Sequence, residues 1–257
     1  MGKIVAVINQ KGGVGKTTTA VNLSAGIGIC GKKVLLIDAD PQGNSTSGMG
    51  IDKRNATVSS YDLLITGAGA KAATVVTEFQ NVSVIPANID LAGAEIELIN
   101  IPHRENQLKT ALSLIKDEYD YILIDCPPSL GLITVNALTA ADSFLVPIQC
   151  EYYAMEGLSQ LMNTVRQIKI SYNPELYLEG VVLTMFDPRL NLTNQVVGEL
   201  KKYFAAELYK TAIPRAVRLS EAPSYGKPIQ YYDKRNRGTE SYNALAKEFI
   251  KRNRNKK

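Results

Sequence analysis

The sequence predicts an α/β fold in which a doubly wound, mostly parallel sheet carries helices on both faces. Short runs of β-branched and aliphatic residues recur without polar alternation, which is typical of strands buried on both faces. Segments of helical periodicity lie between these runs, and alternating strands and helices favour parallel strands joined by right-handed crossovers. A glycine-rich turn also joins the first strand to the first helix.

The elements are predicted in chain order from these patterns. Strands are predicted at residues 4–8, 33–37, 82–85, 121–124, 144–147 and 178–183. Helices are predicted at 17–30, 104–118, 132–141, 155–171, 193–208 and 239–252. Residues 67–70 are interpreted as a flexible turn, and the tail 253–257 is expected to be disordered. With no internal repeat or long Gly/Ser linker, residues 1–257 are predicted to form one domain that includes the C-terminal segment 209–257.

Charge is distributed unevenly along the chain. Residues 1–208 carry 16 Lys and Arg against 21 Asp and Glu, whereas residues 209–257 carry 13 against 4. A basic C-terminal segment on an acidic body indicates a polyanionic partner, either nucleic acid or a membrane surface. No apolar run reaches the roughly 18 residues of a membrane span. The single histidine, His103, excludes a His-rich metal site, and Cys30, Cys126 and Cys150 are interpreted as buried, reduced thiols.

The glycine-rich stretch at residues 9–19, NQKGGVGKTTT, follows a predicted strand and opens a helix. This is the context of a P-loop, whose backbone N–H groups surround a phosphate. Lys16 is expected to reach the terminal phosphates, and the Thr17 hydroxyl to coordinate Mg²⁺. Gln10 replaces the usual first glycine, and a second lysine, Lys11, opens the loop. Because one lysine suffices for the bound nucleotide, Lys11 is a candidate to contact the phosphates of a second subunit.

Three carboxylates follow predicted strands. Asp38 and Asp40 end one strand, and Asp125 ends another. Ligands of open α/β sheets bind at the carboxyl ends of strands, so these side chains are expected near the phosphates. Asp125 suits a Walker-B role in the Mg²⁺ shell. Asp38 is a second candidate metal ligand, and either Asp38 or Asp40 could orient the attacking water.

Together these motifs resemble the deviant-Walker-A P-loop ATPases of the ParA/MinD group. The matching segments, in order, are KGGVGKTT (11–18), DADPQGN (38–44) and IDCPPS (124–129). Further similarity at LTMFD (183–187), IPR (213–215) and RLSEAPS (218–224) narrows the resemblance to short, Soj-like ParA proteins. The likeness covers nearly the whole chain and begins at the first strand, so no N-terminal DNA-binding extension is expected.

The resemblance implies a Mg²⁺-dependent ATPase that forms a nucleotide-sandwich homodimer. It assigns the partner-contacting role to Lys11 and hydrolysis to Asp40, and it gives Lys16 and Thr17 the phosphate and Mg²⁺ of their own subunit. It places Asp125 at the Walker-B position and Pro214 beside the adenine. The expected nucleotide-binding residues are Lys11, Gly12, Gly13, Val14, Gly15, Lys16, Thr17, Thr18 and Pro214.

The resemblance also implies nonspecific binding of double-stranded DNA by the dimer, hydrolysis stimulated by a ParB-like protein, and a cytoplasmic, nucleoid-associated location. The uneven charge agrees with a DNA partner. The candidate DNA-binding residues are Arg189, Arg215, Arg218, Lys227, Lys247, Lys251 and Arg252, with Lys234, Arg235 and Arg237 in the same basic segment.

Two alternatives stay open at this point. A MinD-like membrane-cycling ATPase would need an amphipathic C-terminal helix, and Leu245, Phe249 and Ile250 form a small apolar face there. An amide-forming or carboxylating synthetase on the same fold is the other alternative, although nothing after residue 209 suggests a small-molecule pocket. Iron–sulfur relatives of this fold are disfavoured, because the cysteines lack the required placement.

Overall fold

A seven-stranded sheet organises the chain in a computed structural model that describes residues 2–254. The strands are β1 (Lys3–Val7), β2 (Val34–Asp38), β3 (Val75–Val76), β4 (Val82–Ile85), β5 (Tyr121–Asp125), β6 (Ser143–Gln149) and β7 (Tyr177–Thr184). Their order is β3-β4-β2-β5-β1-β6-β7, and every neighbouring pair is parallel except β3 with β4. The predicted fold class is confirmed.

Helices connect and cover the strands on both faces. They are α1 (Lys16–Ile29), α2 (Asn44–Gly48), α3 (Ser60–Leu64), α4 (Ala70–Ala73), α5 (Leu91–Glu97), α6 (Gln107–Ser113), α7 (Leu132–Ala140), α8 (Ala154–Ser171), α9 (Asn191–Phe204), α10 (Val217–Glu221), α11 (Ile229–Tyr232) and α12 (Arg237–Arg254). Short 3-10 turns lie at Leu98–Asn100, Arg104–Asn106, Lys116–Glu118 and Ala222–Tyr225.

The predicted elements differ from the structure mainly where they are short. Strand β3 was not predicted, because two exposed residues leave no periodic pattern. Helices α2 to α5, α10 and α11 span four to seven residues, too few for a 3.6-residue period to show. The single helix predicted at 104–118 is wrong. It is α6 between two 3-10 turns, and the backbone leaves helical geometry at Ile115 (φ −122°), whose side chain is buried.

Smaller predictions also need correction. Gly67 has a positive φ of 71°, as a turn allows, but Ala70 already begins α4. Asn253 and Arg254 are the last residues of α12 rather than part of a disordered tail, and residues 255–257 lie outside the described part of the chain. Cys126 and Cys150 are buried free thiols, whereas Cys30 is exposed.

Each face of the sheet has its own apolar core, because alternate residues of a strand point to opposite faces. Ile4 and Ala6 of β1 lie in one cluster with the apolar sides of α5 to α9. Val5 and Val7 lie in the other with α1 and α12. The apolar side of α12 is therefore buried in the second core, with Leu245 and Phe249 fully inaccessible. A free amphipathic face, which the membrane alternative requires, is not available there.

Strand register brings the three sequence motifs together. Asp125 of β5 is paired with Val7 of β1 on one side and with Asp38 of β2 on the other. The P-loop starts immediately after β1, so it begins beside Asp125 on the neighbouring strand β5, with Asp38 one strand further away on β2. Within residues 2–254, none of the helices has the length and apolar character needed to cross a membrane.

Candidate nucleotide-binding site

The loop between β1 and α1 has the backbone that a phosphate cradle requires. Gly13 and Gly15 have positive φ angles of 74° and 85°, which side chains other than glycine rarely adopt. Gly15 is the N-terminal cap of α1, and no side chain caps the helix there. The free N–H groups of the first helical turn and the loop therefore face the same space, which favours an anion.

Two side-chain hydrogen bonds hold the loop against neighbouring strands. Asn9 Nδ2 donates to the carbonyl oxygen of Pro147 on β6 at 2.8 Å. Thr184 Oγ1, at the end of β7, donates to the carbonyl oxygen of Val14 at 2.8 Å. Thr184 lies in the LTMFD segment, but sequence reasoning assigned it no role, because its partner lies 170 residues away in the chain and no local pattern links the two.

Lys16 points into the loop. Its side chain is almost fully buried, and Nζ donates to the carbonyl oxygen of Lys11 at 3.0 Å. Burial lowers the pKa of Lys16, while the nearby carboxylates Asp125 and Asp40 oppose that shift. A cation at the centre of a ring of backbone donors suits the terminal phosphates of a nucleotide.

Lys11 is placed differently from Lys16. Its side chain is about half exposed and forms an ion pair with Glu151, which follows β6. The backbone N–H of Lys11 donates to Asn9 Oδ1 at 3.0 Å, which fixes the start of the loop. The two lysines thus leave the loop in different directions, one toward the cradle and one toward the surface.

Asp38 is fully buried and accepts hydrogen bonds from the segment that follows β2. Its Oδ2 accepts hydrogen bonds from the N–H and the hydroxyl of Thr46, both at 2.7 Å, and Oδ1 accepts one from the Asp40 N–H at 3.2 Å. Burial raises the pKa of Asp38, and the bonds from Thr46 counteract part of that rise. Both oxygens accept hydrogen bonds from the segment that follows β2, so this carboxylate orients the Asp40 segment, and its predicted metal contact stays a prediction.

Asp125 differs from Asp38 in having one carboxylate oxygen that is available to a ligand. Its Oδ2 accepts a hydrogen bond from Ser45 Oγ at 2.7 Å, while no donor among residues 2–254 makes a hydrogen bond of good geometry to the buried Oδ1. Burial and the neighbouring Asp38 raise the pKa of Asp125, and Ser45 and the Thr17 hydroxyl interact with the carboxyl to lower it. A buried oxygen without a donor, beside a threonine hydroxyl, fits the ligand set of a partly hydrated Mg²⁺.

Asp40 borders the open cleft. It is nearly buried, and its Oδ1 accepts the Gln42 N–H at 2.9 Å, so the carboxylate is held in one orientation. The cleft has a volume of about 900 Å³ and is lined by the P-loop together with residues from distant segments. Among these, Glu95, Ser129, Met185 and Ser220 come from four different parts of the chain. Glu95 lies outside every sequence motif, and Met185 lies in the LTMFD segment without a predicted role in the cleft.

Pro214 is joined to the loop that follows β7. It pairs with Phe186 in an isolated bridge, and the Phe186 N–H donates to the carbonyl oxygen of Ile213 at 2.9 Å. The residue preceding this bridge, Met185, lines the cleft and has a positive φ of 48°. The predicted adenine contact at Pro214 stays a prediction, with Met185 as its neighbour on the cleft side.

The structure divides the predicted DNA-binding residues into two groups. Arg189 and Arg215 lie on the loops joined by the Phe186–Pro214 bridge. Arg218 follows on α10, and Lys227 borders a second cleft that shares Thr18 and Ser220 with the first. Lys247 and Lys251 lie on α12 beside Cys30, at the end of α1 away from the P-loop.

The cations also differ in their partners. Arg189 forms an ion pair with Asp187, and Arg218 forms one with Glu221. Within residues 2–254, the exposed side chains of Arg215 and Lys227 have no acidic partner within ion-pair distance.

Arg252 is mostly buried and is used internally. Its Nη2 donates to the carbonyl oxygen of Leu208 at 2.7 Å and to Glu248 at 2.8 Å, and its guanidinium stacks 4.0 Å from the ring of Tyr209. A guanidinium engaged in this way is not available to a DNA phosphate, so the structure does not support the predicted DNA contact of Arg252.

Comparison with known proteins agrees with this geometry. Residues 2–178 match a family model described as an AAA domain. The chain is 60% identical to the sporulation initiation inhibitor protein Soj of Bacillus subtilis (strain 168), covering 96% of this chain and 98% of that protein. It is 52% identical to the chromosome partitioning protein ParA of Myxococcus xanthus (strain DK1622), covering 98% of this chain and 89% of that protein.

A solved structure with a similar fold holds ligands of the predicted kind. Cobyrinic acid a,c-diamide synthase from Mycobacterium smegmatis, with bound ADP and magnesium, superposes with a TM-score of 0.87 at 35% identity, covering 100% of this chain and 97% of that chain. Fold, P-loop geometry and full-length similarity to Soj and ParA lead to one assignment: the chain belongs to the Soj/ParA family of chromosome-partitioning P-loop ATPases.

Proposed function

We propose that this protein is an ATP-dependent dimer switch that binds DNA without sequence preference and drives chromosome or plasmid partition with a ParB-like partner. The observation that carries the proposal is the divergence of two lysines from one loop. Lys16 is buried in the phosphate cradle, whereas Lys11 is half exposed at its rim and held by a surface glutamate, Glu151. A nucleotide in the cradle needs Lys16 and not Lys11, so Lys11 can exchange Glu151 for the nucleotide of a second subunit.

The residues of one subunit hold the nucleotide. The N–H groups from Gly12 to Thr18 surround its phosphates, and Lys16 neutralises their charge. Thr17 and Asp125 would hold Mg²⁺, whose charge polarises the phosphoryl oxygens when it is bound. Asp38 fixes the backbone of the Asp40 segment, and Asp40 holds the attacking water in line with the terminal phosphate. ATP is hydrolysed to ADP and phosphate.

Dimerisation gives the switch its output. A dimer presents two copies of the cations Arg189, Arg215, Arg218 and Lys227, which lie on the two loops joined by the Phe186–Pro214 bridge, on α10 and at the second cleft. Doubling the number of phosphate contacts raises DNA affinity steeply, because each contact releases a counterion. Lys247 and Lys251 on α12 would extend the contact, and Arg252 is left out because its guanidinium is engaged. The expected location is on the nucleoid.

The basic C-terminal segment is proposed to belong to the same domain as the P-loop. Its support is the packing of α12 on α1. The hydroxyl groups of Tyr242 and Thr19 lie 3.2 Å apart, and a Cβ added at Gly26 would lie 2.9 Å from Ala246. A change of dimer state at the P-loop can therefore reach the basic residues through a packed helix pair.

Sedimentation with plasmid DNA tests the proposal. We expect the full chain to sediment with DNA when ATP is present, and the bound fraction to fall steeply with salt. Arg215→Ala should lower the slope of log affinity against log salt by about one for each cation lost. Binding that ignores nucleotide, or that survives high salt, would reject the switch. Sedimentation with anionic liposomes instead of DNA would favour the membrane-cycling alternative, despite the buried apolar side of α12.

A further inference from the structure

Lys227 lies on a short loop whose backbone is restricted on both sides. Gly226, which precedes it, has a positive φ of 63°, and Pro228, which follows it, is buried. A residue before proline is disfavoured from helical backbone and adopts an extended one. Lys227 itself is exposed, and α11 begins at Ile229. The loop therefore presents one cation to solvent from a backbone with little freedom. We call residues 226–229 the Lys227 loop.

One end of the Lys227 loop is anchored on α1 by Asn22. Its Oδ1 accepts the N–H of Ile229 at 2.7 Å, and its main-chain carbonyl oxygen accepts Gln230 Nε2 at 2.8 Å. Asn22 Nδ2 donates to the carbonyl oxygen of Thr18 at 2.7 Å. Asn22 and Gln230 are buried, so water does not compete for these bonds. A single residue thus connects Thr18 at the phosphate cradle to the loop that carries Lys227.

Asparagine is an unusual residue for this position in α1. Its neighbours Val21 and Leu23 are buried apolar residues, and asparagine forms helices less readily than leucine or alanine. A buried amide also costs free energy unless it is hydrogen-bonded. Two of the three hydrogen bonds of Asn22 lead to the segment after Lys227. The contact with that segment therefore accounts for an asparagine here.

The other end of the Lys227 loop rests on the turn that follows α2. A Cβ added at Gly226 would lie 2.8 Å from the Cα of Gly50, and one added at Gly50 would lie 3.0 Å from the carbonyl oxygen of Gly226. Gly50 has a positive φ of 75°, and its N–H donates to the carbonyl oxygen of Ser47 in α2 at 3.0 Å. Two backbones approach this closely because neither glycine has a side chain. The loop and the end of α2 are therefore in direct backbone contact.

Both anchors belong to helices that begin at the nucleotide site. Helix α1 starts at Lys16, in the phosphate cradle. Helix α2 follows Asp40, and its Ser45 hydroxyl donates to the carboxylate of Asp125 at 2.7 Å. A ligand that moves the first turn of α1 or the carboxylate of Asp125 therefore acts on an element that touches the Lys227 loop.

A cleft separates the two anchors. It has a volume of about 450 Å³ and is lined by Thr18 and Asn22 of α1, by Asn44 and Ser47 of α2, and by Lys227. Side chains of the described residues leave this space open, so α1 and α2 can shift relative to each other here without overpacking. The Lys227 loop spans the cleft, because it contacts α1 through Ile229 and the end of α2 through Gly226.

We propose that Asn22 is a positioning residue which, together with the Gly50–Gly226 contact, holds Lys227 for DNA when Mg²⁺ and nucleotide fix α1 relative to α2. The bound phosphates hold the first turn of α1, and the metal holds α2 through Asp125 and Ser45. The two anchors convert that arrangement into one position of the Lys227 loop, and a cation held in place loses less freedom when it meets a phosphate. The DNA contact rests on the proposed function, whereas the coupling within the subunit does not.

Hydrogen exchange with Mg²⁺ and ADP tests the coupling without DNA or dimers. Saturation of the full chain should raise the protection of the amides at residues 226–232 by about tenfold or more in the wild type. Asn22→Ala and Gly226→Ala, each saturated as judged by calorimetry, should lose this change. The matched control is Gly67→Ala, because Gly67 has a similar φ of 71° but a Cβ there would have no neighbour within 4 Å among the described residues. It should respond like the wild type.

Three results would overturn the coupling. They are a wild type whose residues 226–232 do not respond to Mg²⁺ and ADP, a full response in both Asn22→Ala and Gly226→Ala, and an equal loss in Gly67→Ala. Circular dichroism shows whether each variant folds. If Asn22→Ala does not fold, Gln230→Leu removes the hydrogen bond to the Asn22 carbonyl at similar volume, and it should reduce the response while an unchanged response would count against Asn22.

A double-mutant cycle tests the role of Lys227 in DNA binding. Affinity for plasmid DNA is measured with Mg²⁺ and a slowly hydrolysed ATP analogue. Asn22→Ala alone should weaken binding by about fivefold or more, but by less than about twofold when Lys227→Ala is already present. Lys247→Ala, which removes a cation of α12, is the matched control, and its loss should multiply with that of Asn22→Ala.

The outcomes of the cycle separate this inference from the proposed function. Losses that multiply for Lys227 as they do for Lys247 would overturn the positioning of Lys227 by Asn22. A wild type that does not bind DNA with the ATP analogue would reject the proposed function instead, and the exchange experiment would still decide whether nucleotide acts on the Lys227 loop.

Discussion

Thr184 donates its hydroxyl hydrogen to the carbonyl oxygen of Val14, and so the end of β7 fixes the middle of the P-loop. Both residues are buried, so water cannot replace this bond if it is lost. The Gly15 Cα lies next to the same side chain, since a Cβ added there would be 3.7 Å from the Thr184 methyl group. The shape of the phosphate cradle thus depends on β7, a strand that contributes no residue to the P-loop motif.

Thr184→Val keeps the side-chain shape and removes the donor. An unpaired buried carbonyl costs about 1–3 kcal/mol, so we expect nucleotide affinity to fall by roughly 5- to 150-fold. Isothermal titration calorimetry with ADP and Mg²⁺ measures the nucleotide affinity. Thr239→Val is the control, because Thr239 is another buried threonine that donates to backbone carbonyls, at Ile229 and Asp233. An equal loss of affinity in both variants would contradict the specific role of Thr184.

The two P-loop lysines should separate binding from dimerisation. Lys16→Ala removes the buried cation of the cradle and should abolish nucleotide binding. Lys11→Ala removes only a half-exposed side chain and should keep the nucleotide affinity of the monomer while preventing ATP-dependent dimers. Equilibrium dialysis with ATP and multi-angle light scattering measure the two effects. Normal ATP-dependent dimers of Lys11→Ala would remove the role proposed for this residue.

Two helical glycines should respond oppositely to alanine. A Cβ at Gly28 of α1 would lie 2.2 Å from the carbonyl oxygen of Gln80, whereas a Cβ at Gly157 of α8 would have no neighbour within 4 Å among the described residues. We expect Gly28→Ala to lower the free energy of unfolding by at least about 1–3 kcal/mol. Gly157→Ala should raise it by up to about 1 kcal/mol, because alanine is the better helix former. Urea unfolding measures both, and equal effects would contradict the packing described.

Arg252 should behave as a residue of the fold. Arg252→Ala removes its bonds to Glu248 and Leu208 and leaves a partly buried carboxylate uncompensated, so we expect a loss of about 2–3 kcal/mol in unfolding free energy. Lys251→Ala, one residue earlier and exposed, should stay within about 0.5 kcal/mol of the wild type. Thermal unfolding of the two variants and the wild type measures the difference in stability. A stable Arg252→Ala that has only lost DNA affinity would restore the original prediction for this residue.

Glu248 should make stability depend on acid pH. Partial burial raises its pKa, but hydrogen bonds from the N–H groups of Lys210 and Thr211, the Thr211 hydroxyl and Arg252 outweigh burial, and the net pKa lies below its usual value. A carboxyl with a lowered pKa stabilises the fold above its unfolded pKa of about 4.3, and the contribution is lost as pH falls through the folded value. The difference in urea midpoint between the wild type and Glu248→Gln should therefore shrink between pH 7 and pH 3. Glu240→Gln, which also removes one carboxylate but at an exposed position of the same helix, is the matched control.

Much of the architecture could be predicted from residue patterns, because strands buried on both faces are apolar throughout and long helices show their period. The six predicted strands lie within two residues of β1, β2 and β4 to β7 at each end. The elements that escaped prediction are short, such as β3 and α2, and tertiary contacts rather than local periodicity hold them. Thr46 of α2, for example, is fixed by the buried Asp38 from β2.

The candidate site divides in the same way. Local sequence determined the phosphate cradle, because Gly13 and Gly15 adopt positive φ angles that favour glycine over other residues. Asp38 and Asp125 end their strands as predicted. Only the tertiary structure decided which groups complete it. Thr184 and Glu95 reach the loop and the cleft from segments 170 and about 80 residues away from the P-loop.

Local sequence and tertiary structure also contribute differently to the roles of the charged residues. The sequence by itself determined the fold class, the phosphate-binding loop and the excess of positive charge after residue 208, because each is a property of neighbouring residues or of composition. The tertiary structure decided that Lys16 is buried while Lys11 meets Glu151, and that Arg252 supports the fold while Arg215 stays exposed. Burial and pairing of a charge depend on partners from distant segments, and the folded chain alone brings them together.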